Sequence, residues 1–439
     1  MHTAHFYAAL TSVGLVFSSR EAVAANRMVA IAFGLKIVRG CSVRRSYFIP
    51  PIAILAFIPA FAFAQSVSDS ASNAWVWDIP SYVRPPRVPA DNPMSEAKYQ
   101  LGRHLFYDKR LSDNATISCA SCHVQSRAFT NGHPTAIGST GEHTPRNVPS
   151  VANAAWHATL TWADPAIVTL ETQMDIPMFG EHPVEMGVTD ASKPQILSRL
   201  ESDPYYPQAF KEAFPDRKEP MSFEIIIKAI ACFERGILSF DSKYDRNLQG
   251  KATLNETEQR GRDLFFGEKG GCHHCHRSSN FDGQFVNNKG RVPDLPFHNT
   301  GLYNIDGKGA YPVPNRGLFE STGNPEDMGK FRVPSLRNVA VTGPYMHDGS
   351  VATLEDVVEI YSQGGRKIDA GPYAGDGRIS PVKSGLIVKI DLTAEEKADI
   401  VAFLKTLTDE SLMTSDRFSD PWNSPASSTS PQRSDNGKP

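Results

Sequence analysis

The pentapeptide Cys-x-x-Cys-His occurs twice in this chain, at 119–123 and at 272–276. In such a pattern the two thiols add across the vinyl groups of a haem, and the adjacent histidine ligates its iron. A redox-active Cys-x-x-Cys pair needs neither the histidine nor a second copy. A four-cysteine zinc site spaces its pairs by only about 15–20 residues. The sequence therefore predicts two covalent haem c groups, held by Cys119, Cys122, His123, Cys272, Cys275 and His276.

An apolar stretch at 48–64 follows Arg44 and Arg45 and ends in Ala-Phe-Ala before Gln65. These features are typical of a secretory signal peptide cleaved near Ala64. An uncleaved membrane anchor is the alternative, but prolines interrupt the run and no basic cluster follows it. The segment before Arg44 is long for a signal, so a start at Met28 is also compatible. We expect a periplasmic protein with no stable membrane span after cleavage.

Residues 65–439 carry 39 Lys and Arg against 47 Asp and Glu, a net charge of about −8. No basic tract is present, which disfavours nucleic-acid binding. Four of the five cysteines in this part of the chain belong to the haem motifs. The fifth, Cys232, lies in a helical pattern and is predicted to be a buried free thiol.

An internal repeat surrounds the two motifs. Gly102-Arg-His-Leu-Phe-Tyr precedes the first, and Gly261-Arg-Asp-Leu-Phe-Phe precedes the second. We predict a mainly α fold with two cytochrome c-like haem domains and long irregular loops. Thr253 and Glu256 are predicted to form a capping box at the start of the second repeat's helix. A further amphipathic helix is expected at 392–407, capped by Thr393 and Glu396.

The predicted organisation has four parts. They are a signal peptide and upstream extension at 1–64, an N-terminal haem domain at 65–243, a C-terminal haem domain at 244–408, and a disordered tail at 409–439. The tail is rich in Ser, Pro and Asn, which is typical of disorder. Trp422 within it has no assigned role.

The order of several short motifs resembles the bacterial di-haem cytochrome c peroxidase and MauG family, over roughly 102–407. The motifs are Thr144-Pro-Arg-Asn147, Trp162, Gln173 with Pro177, Glu185-Met186, Lys243-Tyr-Asp-Arg246, and 333–340 leading into Thr342-Gly-Pro-Tyr-Met-His347. Each motif is weak alone, whereas the whole set in one order is specific. The resemblance implies an enzyme, a MauG-like di-haem peroxidase or oxidoreductase.

In that family the N-terminal haem reacts with hydrogen peroxide. The resemblance implies that Gln173, Pro177 and Glu185 line its open side, opposite His123. A carboxylate in a semi-apolar pocket can carry the proton from one peroxide oxygen to the other. Glu185 is the candidate. The loop before it is two residues longer than in the peroxidases, so Glu181 is a rival, and both could instead be solvated loop charges.

The ligand of the C-terminal haem iron distinguishes two functions within the family. The peroxidases ligate its iron with a Met fourteen residues after the His of the Pro-Tyr-x-His turn, and here that position is Tyr361. A tyrosine there is what MauG-type enzymes have; they share two oxidising equivalents as a bis-Fe(IV) state. The alternative is a core tyrosine bonded elsewhere. Trp162 matches the tryptophan that relays electrons between the haems, with a packed core residue as the alternative.

Two further expectations follow from the resemblance. The histidine that blocks the resting N-terminal haem in peroxidases is replaced by Ser139, which implies an open haem, although nearby His143 remains a rival ligand. A Ca²⁺ ion between the domains is also implied. Its ligands would be the side chain of Asn147 and the carbonyls of Thr342 and Pro344, oxygen donors that suit this ion.

Within the family, residues 75–94 and 177–187 resemble the MbnH type of methanobactin operons. That type oxidises a tryptophan of a secreted partner, MbnP, to kynurenine. MauG exchanges electrons with its partner through a surface tryptophan two residues before its second haem motif, and this sequence has Gly270 at that position. The sequence therefore does not fix the route to the partner, for which Trp75, Trp77 and surface tyrosines are candidates.

The favoured hypothesis is a periplasmic enzyme that uses hydrogen peroxide to oxidise a tryptophan of a secreted, MbnP-like partner. The first alternative is a cytochrome c peroxidase that takes electrons from a small redox protein. The second is a di-haem electron-transfer cytochrome without catalysis. Tyr361 and Ser139 favour the first hypothesis over the peroxidase.

Overall fold

The computed structural model describes residues 75–290 and 297–423, and the predicted signal peptide lies outside these ranges. These described residues cluster as one compact unit. Its α-helices are α1 Glu96–Tyr107, α2 Cys119–Cys122, α3 Leu170–Phe179, α4 Lys193–Glu201, α5 Tyr205–Ala213, α6 Phe223–Arg235, α7 Lys243–Leu248, α8 Glu256–Phe266, α9 Phe319–Thr322, α10 Leu354–Ser362, α11 Ala394–Lys405 and α12 Glu410–Thr414. Among the described residues, no helix is both long and apolar enough to cross a bilayer.

The described β-structure is limited to two short antiparallel ladders. Strands β1 (Phe297–His298) and β2 (Phe331–Arg332) pair Phe297 with Arg332. Strands β3 (Lys367–Ile368) and β4 (Gly375–Asp376) pair Lys367 with Asp376. The expectation of a mainly α fold with long irregular loops is confirmed. The division into two haem domains stays a prediction.

The sequence repeat corresponds to two close helix crossings. Helix α1 packs on α6, and helix α8 packs on α11. A β-carbon added to Gly102 would lie 1.9 Å from the carbonyl oxygen of Ala229, and one added to Gly261 would lie 1.8 Å from that of Asp399. Only glycine allows two backbones to approach this closely. The repeated glycine therefore fixes the same packing of a helix before each haem motif.

The two crossings organise two separate apolar cores. The first surrounds α1 and α6 and includes Leu105, Phe106 and Phe233, all without solvent exposure. The second surrounds α8 and α11 and includes Phe265 and Phe403. Burial of apolar side chains of this size is the main source of stability in such cores.

Local predictions can be compared with these elements. The helix expected at 392–407 is confirmed as α11, with Thr393 and Glu396 forming its capping box. The capping box assigned to Thr253 and Glu256 is wrong. Helix α8 is capped by Asn255 and Glu258, because the Asn255 side chain accepts the Glu258 N–H while Glu258 accepts the Asn255 N–H. Cys232 is fully buried and free, as predicted.

The predicted disordered tail is wrong for residues 409–423. Asp409 caps helix α12, and its carboxylate also accepts from the Ser239 hydroxyl over 3.1 Å. Trp422 packs edge-on against His104 with ring centroids 5.0 Å apart, and its indole N–H donates to the His104 carbonyl. These buried contacts outweigh the local composition. Residues 424–439 lie outside the described part of the chain.

Candidate haem and peroxide site

Both motif histidines are oriented in the same way. His123 Nδ1 lies 3.0 Å from the carbonyl oxygen of Phe129, and His276 Nδ1 lies 2.8 Å from that of Phe281. Because a carbonyl only accepts, the proton is on Nδ1 and the Nε2 lone pair remains free for a metal. Burial lowers the pKa of both rings, that of His276 to about 4. Each imidazole is therefore neutral, the form that ligates iron.

A cavity opens beside the second motif. Its lining includes Cys272, Cys275 and His276 together with Tyr361 on α10. Leu354 and Val358, which share a helical face with Tyr361, also line it. The structure thus brings together the attachment cysteines, the motif histidine and the tyrosine that lies more than eighty residues further along the chain.

Tyr361 reaches this cavity with an unengaged hydroxyl. Within the described residues its phenol group makes no hydrogen bond. Burial raises the pKa of Tyr361, and the nearby Cys275 and Cys272 raise it further. Tyr345 lines the same cavity, but its hydroxyl donates to the Val339 carbonyl over 3.0 Å. Of these two phenols, only that of Tyr361 is free to meet an iron.

The lining fits a haem at its polar end as well. His157 Nε2 and Arg332 Nη1 are buried nitrogens without a close hydrogen-bond partner in the described structure, although the Asp282 carboxylate lies 3.5 Å from His157 Nε2, and both residues line the cavity. Unpaired buried donors are costly, and the carboxylates of a haem would satisfy them. Phe265, Leu354 and Leu404 supply apolar contact elsewhere. The donors, the apolar walls and the two cysteines together match the chemistry of haem c.

Around the first motif, Gln173 and Pro177 lie one turn apart on α3 and share a face. The loop carrying Glu185 is bonded to this helix, because the Met186 N–H donates to the Pro177 carbonyl over 2.8 Å. Burial raises the pKa of the Cys119 and Cys122 thiols, and the Glu185 carboxylate lies near enough to raise both further. The structure therefore joins the helix that carries Gln173 and Pro177 to the loop of Glu185, and it places Glu185 beside the first motif.

The two candidate glutamates differ in environment. Glu185 is partly buried, and desolvation raises its pKa. Glu181 is exposed. A carboxylate that exchanges protons in catalysis needs a pKa near the working pH, so the placement favours Glu185.

Ser139 lies against the Glu185 segment, to which its backbone N–H donates over 2.8 Å. His143 is exposed, and its Nδ1 lies 3.0 Å from the Thr135 hydroxyl. Because the His143 ring is at the surface and contacts Thr135, this arrangement does not place it as a ligand of a buried iron. Ser139 therefore adjoins Glu185, and the open first haem that the resemblance implies stays a prediction.

Trp162 connects the cavity with the predicted calcium ligands. It lines the cavity, and its indole N–H donates to the Asn147 carbonyl over 2.8 Å. Asn147, Thr342 and Pro344 also line it. The Asn147 amide donates to the His133 carbonyl, and the Thr342 and Pro344 carbonyls accept no backbone bond within the described residues. The Asn147 side-chain oxygen and both carbonyls therefore remain available to a cation.

Several residues of these sites were not found from the sequence. His157, His298 and Arg332 line the cavity of the second motif, together with His347 of the Thr342–His347 motif, and buried Glu234 lies close to Cys119. His347 stacks on Phe331 with ring centroids 3.6 Å apart, and burial lowers its pKa to about 4. His298 Nδ1 lies 3.3 Å from the Ser384 hydroxyl. Residue type was the only sequence signal for His157, His298 and Arg332, because each comes from a loop or a two-residue strand, whereas Glu234 lies on helix α6.

Comparison with known proteins agrees with this geometry. The family described as "Di-haem cytochrome c peroxidase" matches residues 96–253. Cytochrome-c peroxidase IdrP1 of Pseudomonas sp. (strain SCT) is 33% identical over 81% of this chain and 92% of its own length. The chain belongs to the di-haem cytochrome c peroxidase/MauG family. Its members are oxidoreductases that carry two haem c groups and use hydrogen peroxide.

Two other similarities concern the MauG branch. Methylamine utilization protein MauG of Methylorubrum extorquens is 32% identical over 74% of this chain and 83% of its own length. The crystal structure of a MauG-like protein associated with microbial copper homeostasis is 67% identical, with a TM-score of 0.79, over 80% of this chain and all of that chain. The expected resemblance to this family is confirmed.

Proposed function

We propose that this protein is a MauG-like enzyme of the periplasm that uses hydrogen peroxide to oxidise a tryptophan of a secreted partner protein. One observation carries the proposal: the Tyr361 hydroxyl lies unbonded in the cavity of the second haem motif. The 67% identity with a MauG-like protein supports this branch of the family. That protein's association with copper homeostasis agrees with an MbnP-like partner that binds copper.

The bound haems supply iron centres at which hydrogen peroxide is reduced to two waters by two protons and two electrons. The protein residues have separate tasks around them. Glu185 holds and transfers the proton between the peroxide oxygens, and Gln173 with Pro177 orients the peroxide and limits the entry of water. His123 and His276 present neutral Nε2 atoms, and Tyr361 presents an oxygen donor that favours oxidised iron.

Trp162 has the position of a relay. It lines the cavity of the second motif, and its N–H is held by the Asn147 carbonyl. The cavity lining also includes Thr130, next to the residue that orients His123. A calcium ion on Asn147, Thr342 and Pro344 would hold this indole in place.

Two peroxides balance the chemistry at the partner. Conversion of a tryptophan side chain to N-formylkynurenine takes up two oxygen atoms at the level of water and releases four electrons and four protons. Two hydrogen peroxide molecules accept these and form four waters, so that one tryptophan and two peroxides give one N-formylkynurenine and a net two waters. Hydrolytic loss of formate then gives kynurenine. The partner needs an accessible tryptophan and no haem of its own.

The test is to add stoichiometric hydrogen peroxide to the fully ferric protein without a reductant. We expect a prompt, long-lived near-infrared absorption band in the unsubstituted protein. Tyr361→Phe should lose the band and keep both haems attached, whereas Tyr345→Phe, in the same cavity, should retain it. If the protein reacts only after one haem is reduced, it acts as a conventional peroxidase and the proposal is wrong.

The peroxidase function remains the second candidate, because relatives with that name match the chain as well as MauG does. It predicts peroxide turnover with a small reduced cytochrome or cupredoxin as electron donor. The same experiment separates the two functions, since a peroxidase of this family requires reduction before it reacts.

A further inference from the structure

Three of the five tryptophans form one contiguous group. Trp77 contacts Trp156 with ring centroids 6.0 Å apart and Trp75 with centroids 5.9 Å apart. At these separations the rings are in van der Waals contact. Trp156 is fully buried, whereas Trp77 is partly exposed beside Val76, whose side chain is 82% exposed. The group therefore runs from the interior to the surface.

The buried end of the group adjoins the second haem cavity. Trp156 is followed directly by His157, which lines that cavity together with His276 and Tyr361. The backbone is fixed here, because the Val286 N–H donates to the Trp156 carbonyl over 2.8 Å. The segment that carries Trp77 is also fixed, since the Trp156 indole N–H donates to the Arg84 carbonyl over 2.8 Å.

We propose that Trp77 and Trp156 form the path by which electrons from the partner protein enter the enzyme. The inference rests on the proposed function. Each electron passes from the partner's tryptophan to Trp77, then to Trp156, and on to the haem side. Two such transfers per hydrogen peroxide, with two protons, give two waters, so the partner is oxidised and the peroxide is reduced.

The hydrogen bonding of Trp156 suits this role. A backbone carbonyl cannot take the indole proton, so the ring loses and regains an electron while its proton stays in place. The step is then an electron transfer without proton transfer, which is readily reversed.

A competing path for electrons into the enzyme would run through Trp75 and Tyr99. That ring contacts Tyr99 with centroids 5.3 Å apart, and Tyr99 contacts Phe233. Phenylalanine is not oxidised under these conditions, and the Tyr99 hydroxyl donates to the Arg417 carbonyl, which cannot accept its proton. The Arg417 guanidinium also lies 5.4 Å from the Trp75 ring centre, and its positive charge opposes loss of an electron there.

The test uses the holoenzyme with peroxide and no partner. Without a partner, the oxidised haem centres take electrons from the protein's own side chains instead. Peptide mass spectrometry then measures oxygen addition at each tryptophan. We expect oxidation at Trp77 and at least tenfold less of it in Trp156→Phe. Trp422→Phe is the matched control, because the aromatic and cationic groups that Trp422 contacts in the described part of the chain are His104, Tyr205, Tyr206 and Arg110, all outside the Trp75–Trp77–Trp156 group. It should leave Trp77 oxidation unchanged.

Trp75→Phe should also leave Trp77 oxidation unchanged. A decrease of Trp77 oxidation in this variant would overturn the proposal in favour of the path through Trp75 and Tyr99. Equal Trp77 oxidation with and without Trp156 would overturn it too, as would no oxidation at Trp77 in an enzyme that forms the near-infrared band. Absorbance of both haems checks that Trp156→Phe has folded. Trp77→Phe, a change at the surface, is a second variant, and it should prolong the lifetime of the near-infrared band several-fold. Absence of the band from the unsubstituted protein would instead reject the proposed function.

Discussion

The backbone N–H of Ser139 donates to the carbonyl oxygen of Glu185 over 2.8 Å. This bond joins two loops that lie far apart in the sequence and sets the Glu185 carboxylate beside the first haem motif. Close packing accompanies it, because a β-carbon added to Gly138 would lie 1.8 Å from the Val184 carbonyl oxygen. The loop that holds the proposed acid–base residue is therefore rigidly attached.

Glu185→Gln should slow the reaction of ferric protein with peroxide by about 10²–10⁴-fold, the usual contribution of general acid–base catalysis. Burial raises the pKa of Glu185, and only the ionised carboxylate accepts a proton. The rate should thus fall as the pH drops through that raised pKa, and Glu185→Gln should abolish this dependence. Stopped-flow Soret absorbance measures both. The control is exposed Glu181→Gln, and a larger loss from it would reverse the assignment.

Removal of calcium should loosen the surroundings of Trp162. Chelation with EGTA is expected to lower the thermal midpoint of the holoprotein, and added Ca²⁺ should restore it, because a ligand that binds only the folded state stabilises it. Asn147→Ala should show the lower midpoint and no response to Ca²⁺. Asn131→Ala is a nearby control that removes no predicted calcium ligand; the Asn131 amide donates to the Thr135 carbonyl, and its side-chain oxygen accepts the His133 N–H. A response to Ca²⁺ that survives in Asn147→Ala would place the ion elsewhere.

Local sequence signals predicted the parts of the site that are set by spacing. The Cys-x-x-Cys-His motifs, the face that carries Tyr361 and the capping of α11 all depend on neighbours a few residues away. The polar end of the cavity beside the second motif could not be predicted from such neighbours. Arg332 comes from a two-residue strand and His157 from a loop, and only tertiary packing brings them together. The prediction of a disordered tail was wrong for the same reason, since Trp422 is held by a hydrogen bond to His104, more than three hundred residues earlier in the chain.

The repeated glycines give a prediction about stability. Gly261→Ala should destabilise the protein by about 1–3 kcal/mol or more, because the added methyl meets the Asp399 backbone and forces α8 away from α11. Gly102→Ala should do the same at α1 and α6. Gly385→Ala is the control, since its added methyl meets open space. Denaturant midpoints of the holoproteins measure the difference, and equal midpoints for Gly261→Ala and Gly385→Ala would contradict the close crossing.

Glu234 gives a prediction about the pH dependence of stability. Burial raises its pKa to about 8, and one carboxylate oxygen has no hydrogen-bond partner within the described residues. The folded state therefore binds a proton that the unfolded chain releases near pH 4.5. Stability from this group is fully present below that pH and is lost as the pH rises towards 8, by a few kcal/mol in all.

Glu234→Gln keeps the shape of the side chain and removes its titration. The variant should lose this part of the decline in stability between about pH 4.5 and 8, which denaturant midpoints at several pH values will show. Glu224→Gln is the matched control on the same helix, because Glu224 is exposed and paired with Lys228, so its pKa is lowered. Removing that carboxylate should leave the decline above pH 4.5 in place. If Glu234→Gln retains the full decline, Glu234 is ionised in the folded protein and must have a partner, for which the adjacent Arg235, whose Nη1 is also unpaired, is the nearest cation.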